Sequence, residues 1–353
     1  MSSVTNTALT RLVGVRYPVV QTGMGWVAGS SLVSATAEAG GLGILASATM
    51  TYDELAAAIS RVRQRTANPF GVNLRADASD ADERVDLLIS QGVKVASFAL
   101  APRKEMIAKL RDNGVVVIPS IGAARHAEKV ASWGADAVMV QGGEGGGHTG
   151  QVATTVLLPS VLDAVDIPVI AAGGFYDGRG LAAALAYGAA GVGMGTRFLL
   201  TQDSTVPDEV KQLYLKQSLG STVVTKRVDG MPHRVLRTEL VDQLESSGRL
   251  RGLAHAARSA VGFRKLTGLS LPDMLREGLA MKRGNELSWS QVLMAANTPM
   301  LLRSGLVEGH TDAAVLASGQ VVGMLDDLPT VAELIARLVH DADNILQSLA
   351  GPD

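Results

Sequence analysis

The chain of 353 residues is 47% hydrophobic, 19% charged and 4% aromatic, which suits one large α/β domain, with or without an insertion, and excludes general disorder. Its 32 basic and 34 acidic side chains leave a net charge of −2, so no global basic field exists to hold nucleic acid. The absence of cysteine excludes disulfides, zinc–thiolate sites, iron–sulfur clusters and a cysteine nucleophile.

The beginning of the chain lacks the basic start and apolar run of a signal peptide. No apolar stretch reaches the roughly 18 residues that a membrane span requires. We therefore expect a cytoplasmic protein with neither a membrane nor a nucleic-acid partner.

Eight short apolar runs alternate with helix-like stretches over the first part of the chain. The runs are rich in Val, Ile and Ala and do not alternate with polar residues, which is typical of parallel strands buried on both faces. The predicted strands are Pro18–Thr22, Gly43–Ala46, Phe70–Leu74, Val95–Leu100, Val115–Pro119, Ala137–Gln141, Pro168–Ala172 and Gly191–Gly195. The predicted helices are Ser31–Ala39, Asp53–Arg65, Ala81–Gln91, Arg103–Asn113, Ala123–Trp133, Thr155–Val165 and Gly178–Tyr187.

This rhythm of strand and helix predicts an α/β fold, a (β/α)8 TIM barrel. The alternative is a doubly wound open sheet, which normally carries its glycine-rich phosphate turn after the first strand. Here the glycine-rich turns follow the sixth, seventh and eighth predicted strands. That late position favours the barrel, because barrels usually build phosphate sites from their last two loops.

A different pattern follows the eighth strand. We expect residues 1–204 and 304–353 to form the barrel and residues 205–303 to form a mainly helical insertion on the substrate side. The insertion carries 15 basic and 9 acidic residues, whereas the remainder carries 17 and 25. Further predicted elements are a hairpin over Thr222–Leu236, with its turn at Asp229-Gly230, and an amphipathic helix over Thr330–Leu349.

His148 lies in the loop Gln141–Gly150, in which six of ten residues are glycine. Glycine inside an element is unfavourable by about 0.5–1 kcal/mol relative to alanine, so this loop indicates unusual backbone angles or close approach to a ligand. Because catalytic side chains of barrels follow the strand ends, His148 is the candidate catalytic residue. A flexible surface loop with an incidental histidine is the alternative.

Two later strands also end in glycine, at Gly173-Gly174 and at Gly195 before Thr196. Backbone amides freed at such ends can point at phosphate oxygens, which predicts a phosphate site; tight strand-to-helix turns are the alternative.

Small residues also follow the first strand, at Gly23, Met24 and Gly25, where they would let a flat ring lie over the barrel mouth. Asn73 and Ser120 are polar residues at the ends of apolar strands. A carboxamide offers both a donor and an acceptor to the edge of a heterocycle, although each residue could instead be a cap.

The histidines at 126, 233, 255, 310 and 340 lack metal-ligand spacing, so we expect no metal site. His126 follows Arg125 in a predicted helix and is expected to be exposed. His233 is a candidate for a second site, with surface exposure as the alternative.

Taken together, these motifs resemble the nitronate monooxygenase (2-nitropropane dioxygenase) family of FMN-dependent barrels, which includes flavin-type enoyl-thioester reductases. The similar segments span nearly the whole chain: Gly23–Gly25, Ala39–Gly43, Gly71–Leu74, Gln141–Gly150, Ala171–Gly174, Gly193–Arg197 and Ser318–Gln320. The segment Asp229–Thr238 is similar to an actinobacterial branch whose members dehydrogenate bicyclic CoA thioesters from steroid C/D-ring catabolism.

The resemblance implies FMN, with its phosphate held at Gly173, Gly174, Gly195 and Thr196. The other implied cofactor contacts are Gly23, Met24, Gly25, Asn73, Ser120, Gln141, Gly142, Gly146, Gly147 and Gln320. His148 matches the active-site histidine of the family, and the substrate contacts are Trp26, His233, Arg234 and Arg237.

We therefore expect an FMN-dependent oxidoreductase acting on a bulky CoA thioester, with hydride exchange at flavin N5 and His148 as the proton shuttle. The alternatives are oxidation of alkyl nitronates with O₂, enoyl-thioester reduction, and a non-catalytic barrel that binds a phosphate ligand. The basic insertion would receive the CoA phosphates, or else form a solvated face or a contact in a homo-oligomer.

Overall fold

The computed structural model of the protein describes residues 3–246, 298, 300–311 and 314–350. The chain divides into two compact units. The first comprises Met1–Gly145, Thr149–Thr205 and Met324–Asp353, and the second comprises Gly146–His148 and Val206–Gly323. The second unit thus includes Gly146–His148 and residues 304–323, which the sequence analysis had placed with the barrel.

The first unit contains a closed barrel of eight parallel strands. Its strands are β1 (Val19–Gln21), β2 (Leu42–Ala46), β3 (Phe70–Leu74), β4 (Val95–Phe98), β5 (Val116–Ile121), β6 (Val138–Gln141), β8 (Val169–Ala172) and β9 (Gly191–Met194). The last strand returns to the first, because β9 pairs in parallel with β1 and Val192 lies opposite Val19. The predicted barrel is therefore confirmed, and the open-sheet alternative is wrong.

Two glycines within the strands permit this close packing. A Cβ atom at Gly191 would lie 2.5 Å from the carbonyl oxygen of Pro18, and one at Gly43 would lie 2.5 Å from that of Val33. Both distances are far below van der Waals contact, so side chains at these positions would push the strands off their neighbours.

The helices that accompany the strands are α1 (Ala8–Val13), α2 (Ser30–Glu38), α3 (Tyr52–Arg65), α4 (Ala81–Ser90), α5 (Lys104–Asp112), α6 (Ala124–Ser132), α7 (Thr154–Leu162), α8 (Gly178–Tyr187) and α9 (Thr196–Leu199). The seven predicted helices are confirmed as α2 to α8, and two short helices that were not predicted, α1 and α9, precede the first strand and follow the last. Local chemistry fixes several ends: Thr51 and Glu54 form a capping box at the start of α3, and Gly188 ends α8 at φ 101°. The predicted terminal helix is confirmed at Val331–Ala350.

The core of the barrel unit has two layers. One cluster takes side chains from around the barrel, including Val20, Ile44, Val95, Ile118 and Met139. The other contains alternate residues of β2 to β5, such as Leu45, Ala96 and Val117, and apolar side chains of the helices beside them. Since successive side chains of a strand point to opposite faces, the first cluster fills the barrel and the second lies under the helices.

The second unit contains a three-stranded sheet. Its strands are β7 (Gly147–His148), β10 (Thr222–Thr225) and β11 (His233–Leu236), in the order β10-β11-β7, with antiparallel pairing throughout. The predicted hairpin is confirmed, and Asp229-Gly230 lies within its loop, where Gly230 has φ 87°. Helices Asp208–Leu215 and Glu239–Ser246 flank it in sequence.

The prediction of a mainly helical insertion concerns in large part residues 247–297, which lie outside the described residues. Among the residues that are described, no helix is both long and apolar enough to cross a membrane.

Candidate active site

Four polar residues lie on consecutive strands toward the carboxyl end of the barrel: Asn73, Ser97, Ser120 and Gln141. Val95 and Ile118 belong to the inner cluster, so Ser97 and Ser120, each two residues further along, face the same side. The Asn73 amide donates to the Ser97 hydroxyl at 3.3 Å. These side chains form a polar layer above the apolar filling, suited to hydrogen bonds with the edge of a heterocycle.

Sequence reasoning missed Ser97 in this layer. It interpreted Val95–Leu100 as one uniformly apolar strand, and a single serine in such a run carries no distinctive signal. The strand register reveals its role, because Ser97 pairs beside Asn73 across β3 and β4.

The segment after β1 lies against this layer and the end of β9. A Cβ atom at Gly23 would lie 2.6 Å from the Cβ of Asn73, so only glycine fits there. A Cβ atom at Gly195 would lie 3.3 Å from the sulfur of Met24. Trp26 has φ 65°, the one positive value at a non-glycine residue in the described part of the chain, and such backbone strain concentrates at functional sites.

The turn after β8 takes two consecutive positive φ angles, 90° at Gly173 and 88° at Gly174. Glycine adopts this conformation without the steric penalty that other residues incur. A Cβ atom at Gly173 would also lie 3.0 Å from the carbonyl oxygen of Gly142, so the two loops contact each other through bare backbone.

Glu144 anchors the glycine-rich loop to the start of α7. Its carboxylate accepts hydrogen bonds from the backbone N–H of Thr154 at 3.0 and 3.1 Å, and the Thr154 hydroxyl lies 2.8 Å from it. A Cβ atom at Gly142 would lie 2.0 Å from that hydroxyl, and one at Gly145 would lie 2.6 Å from the amide of Gln141. Gly142 is thus explained by packing against this cap, and Gly145 by packing against the side chain of Gln141.

Within the second unit, His148 forms a hydrogen-bonded group with Asp229 and His233. The Nε2 of His148 lies 2.6 Å from the Oδ2 of Asp229, and the Nδ1 of His233 lies 3.4 Å from the same oxygen. The two rings lie 4.6 Å apart, because His148 and His233 are directly opposite residues of β7 and β11. We name these three residues the His–Asp–His group.

The His–Asp–His group is exposed on one side. The side chain of His148 is 57% exposed, whereas those of Asp229 and His233 are 11% and 4% exposed. Burial alone would raise the pKa of Asp229, but hydrogen bonds from His148 and His233 outweigh it and hold that pKa below its ordinary value. Asp229 is therefore a carboxylate that accepts from both rings.

The burial of His233 corrects one alternative of the sequence analysis, since surface exposure of this residue is wrong. His126 is exposed on α6, as predicted. Sequence reasoning treated Asp229 as a turn residue only. The sequence signal that could have revealed its contact with His233 is the spacing Asp-Gly-Met-Pro-His. With this spacing, the Asp229 carboxylate accepts a hydrogen bond from the backbone N–H of Met231 and also contacts His233, four residues later.

Thr196, at the start of α9, and Gly25 lie on the first unit, and the remaining predicted contacts lie on the second unit. Arg234 donates to the Thr222 hydroxyl across the hairpin at 3.0 Å, and the exposed Arg237 lies 3.4 Å from Asp242. A Cβ atom at Gly146 would lie 2.5 Å from the backbone nitrogen of Gly319, and Gly147 has φ 74°. Gln320 begins a short 3-10 helix, Gln320–Met324.

The predicted basic character of the insertion does not reside in its described part. Residues 205–246 carry six basic and six acidic side chains. Eight basic and three acidic residues fall at 247–297, outside the described residues. The proposed CoA contacts at Arg234 and Arg237 therefore lie in an electrically balanced segment.

The first unit also offers the features that a flavin needs. Gln21 is fully buried at the end of β1; its Nε2 donates to the carbonyl groups of Thr22 and Ile44, while its Oε1 has no hydrogen-bond partner within the described residues. A buried acceptor without a donor is unfavourable by about 1–3 kcal/mol, so it marks a place for a ligand N–H. Together with the polar layer and the Gly173-Gly174 turn, it fits a flavin.

A closed barrel of eight parallel strands with a polar inner layer and glycine-rich exits at its carboxyl end has the architecture of the (β/α)8-barrel enzymes. The profile of the nitronate monooxygenase family matches residues 6–84 and 77–341, and the chain belongs to this family. It is therefore an oxidoreductase of a flavin-dependent family.

Two curated relatives match almost the full length of the chain. One, from Rhodococcus jostii strain RHA1, is 69% identical and covers 98% of each chain; the other, from Mycobacterium tuberculosis, is 70% identical and covers 97% of each. Both are named (3aS,4S,5R,7aS)-5-hydroxy-7a-methyl-1-oxo-octahydro-1H-indene-4-carboxyl-CoA dehydrogenase.

The solved structure of FabK from Thermotoga maritima is also similar to this chain. It superposes with a TM-score of 0.80 at 35% identity, over 98% of this chain and 99% of FabK.

Proposed function

We propose that this protein is an FMN-dependent dehydrogenase of a bulky bicyclic CoA thioester of the steroid C/D-ring type, with His148 as its proton shuttle. The observation that carries the proposal is the near-full-length identity with two enzymes named as dehydrogenases of an indene-carboxyl-CoA. The His–Asp–His group supplies the acid–base chemistry that such an oxidation needs.

The residues proposed to hold FMN lie at the carboxyl ends of the barrel strands. Asn73, Ser97, Ser120 and Gln141 offer hydrogen bonds to the ring, and Gly23 leaves room beside Asn73. Gly173 and Gly174 would hold the phosphate with Gly195 and Thr196. Bound FMN supplies hydride transfer at its N5 atom.

His148 is proposed to move the proton that accompanies the hydride, since a two-electron oxidation of the substrate releases both. Because its Nε2 lies 2.6 Å from Asp229, proton exchange with the substrate would use Nδ1. Asp229 fixes the ring and stabilises the imidazolium that forms, the part that a buried carboxylate plays in hydrolase triads. His233 donates to the same carboxylate and keeps it ionised.

Absorbance spectroscopy of the purified protein tests the cofactor first. We expect flavin bands in the spectrum, and bleaching of these bands under anaerobic conditions when the indene-carboxyl-CoA thioester is added. A colourless protein that does not bind added FMN would contradict the proposal. Steady O₂ uptake with an alkyl nitronate, without bleaching by the thioester, would favour nitronate oxidation instead.

A further inference from the structure

We propose that His148, Asp229 and His233 also form a binding site for a divalent transition-metal ion of the zinc class. Each residue offers one ligand atom, and the three atoms all lie within 4.8 Å of one another. This grouping leaves no spacing signal along the chain, because His148 and Asp229 are 81 positions apart.

The donor set selects the kind of ion. Two imidazole nitrogens and one carboxylate suit Zn²⁺, Co²⁺ and Ni²⁺, whereas Mg²⁺ and Ca²⁺ prefer oxygen ligands only. The Oδ2 of Asp229 lies within hydrogen-bond distance of a ring nitrogen of each histidine, so the three donor atoms already converge.

The distances fit a zinc ion after a small adjustment. With Zn–N and Zn–O bonds of about 2.0–2.2 Å, tetrahedral ligand atoms lie about 3.4 Å apart. The separation of 3.4 Å between His233 Nδ1 and Asp229 Oδ2 already matches this value. His148, the exposed member of the group, makes the adjustment: its 2.6 Å hydrogen bond to Asp229 must open, and its ligand nitrogen, which lies within 4.8 Å of that of His233, must reach the same tetrahedral separation from it.

The surroundings hold the other two ligands in place. The Oδ1 of Asp229 accepts a hydrogen bond from the backbone N–H of Met231 at 3.0 Å. His233 is buried in β11, directly opposite His148 in β7. Partners of this kind orient metal ligands in established sites, and the exposed side near His148 leaves coordination positions to water.

Such an ion would compete with the acid–base role of the same group. A metal bound to Nε2 replaces the hydrogen bond by which Asp229 fixes the ring, so we expect zinc to inhibit turnover. This consequence rests on the proposed function, whereas the binding site itself does not.

Titration calorimetry of the full-length, flavin-loaded protein with Zn²⁺, after removal of trace metals, tests the site. We expect one saturable ion per chain and a rise in Kd of more than about tenfold in His148→Ala, Asp229→Asn and His233→Ala. His126→Ala, which removes an exposed histidine of α6, should leave Kd unchanged. Flavin content and circular dichroism establish that each variant is folded, and His148→Ala, at an exposed position, carries the test if His233→Ala fails to fold.

The outcomes separate this site from the proposed function. Absence of saturable binding, or equal binding in wild type and His148→Ala, overturns the metal site. If turnover falls in His148→Ala while zinc does not bind the wild type, the proposed function stands and the metal site is wrong. If zinc binds as expected while His148→Ala retains full turnover, the metal site stands and the shuttle role is wrong.

Discussion

Asp229 occupies the centre of the proposed chemistry, although its local sequence is that of a turn. It serves the hairpin loop through the hydrogen bond from Met231 and serves the two histidines through its other oxygen. A single carboxylate thus couples the shape of the loop to the orientation of His148.

The role of His148 is tested by substitution to alanine. General acid–base catalysis contributes about 10²–10⁴-fold, so turnover of His148→Ala should fall within that range while bound FMN is retained. Stopped-flow reduction of the flavin by the thioester measures the step directly. His126→Ala is the matched control, and a shuttle role is untenable if His148→Ala and His126→Ala reduce the flavin equally fast.

The substitution Asp229→Asn tests whether the carboxylate of Asp229 supports proton exchange by His148. The variant keeps the size of the side chain but removes the charge that stabilises an imidazolium, so we expect lower turnover and an altered pH profile, with unchanged affinity for FMN. A pH profile identical to that of the wild type would show that the carboxylate does not act through His148.

The lowered pKa of Asp229 also makes a prediction about stability. A carboxyl group whose pKa is lower in the folded than in the unfolded protein stabilises the fold at pH values above the unfolded pKa, which is 3.8 for Asp229. This stabilisation is lost as the pH falls from 3.8 through the lower pKa of the folded protein. Asp229→Asn should therefore lower the free energy of unfolding by about 1–3 kcal/mol at neutral pH. Denaturant unfolding measures the difference, which should shrink at pH values below 3.8; a constant difference down to pH 2 would contradict the assignment.

At the scale of elements, the glycine-rich loop after β6 serves two purposes. Gly142 leaves room for Thr154 where Glu144 caps α7, whereas Gly146 and Gly147 lead into the two-residue strand β7 that contains His148. Sequence reasoning recognised the unusual backbone and predicted His148 as the catalytic residue, but the cap could not be predicted, since it depends on the position of a helix ten residues away.

The turn after β8 offers a sharp test of the proposed phosphate site. Gly173→Ala would force a Cβ atom into positive φ and within 3.0 Å of the backbone of Gly142, so we expect weaker FMN binding by at least about tenfold. Gly122→Ala is the control on another loop, because Gly122 has no positive φ and, among the described residues other than its chain neighbours, no atom lies within 4 Å of its Cβ position. Fluorescence titration with FMN measures both; equal affinities would argue against phosphate binding at this turn.

At the scale of the whole molecule, residues 205–303 carry more basic than acidic side chains, but the described residues 205–246 carry equal numbers of the two. The basic excess of residues 205–303 falls mostly at 247–297, and the hairpin that carries Arg234 and Arg237 is balanced by acidic neighbours such as Asp242. We therefore propose that any recognition of CoA phosphates at this hairpin rests on the guanidinium groups of Arg234 and Arg237 and not on a net positive charge of the hairpin.

Substrate kinetics test those two groups. The double variant Arg234→Ala/Arg237→Ala should raise KM for the CoA thioester and leave KM for a small uncharged substrate and the affinity for FMN unchanged. Arg125→Ala, at an exposed position of α6, is the control. An equal rise in KM for both substrates would contradict a CoA contact at the hairpin.

The sequence by itself determined the barrel, the eight strands and the helices between them, because burial on both faces and glycine at element ends are local signals that each segment carries alone. It also identified His148, since a histidine among six glycines stands out without any knowledge of its neighbours. Only the tertiary structure decided the partnership of His148 with Asp229 and His233, the inward position of Ser97 and the unpaired acceptor of Gln21. These three features depend on strand register and on contacts between segments that are distant in the sequence. A local sequence pattern carries no information about which distant residues will meet, so it cannot predict these hydrogen bonds.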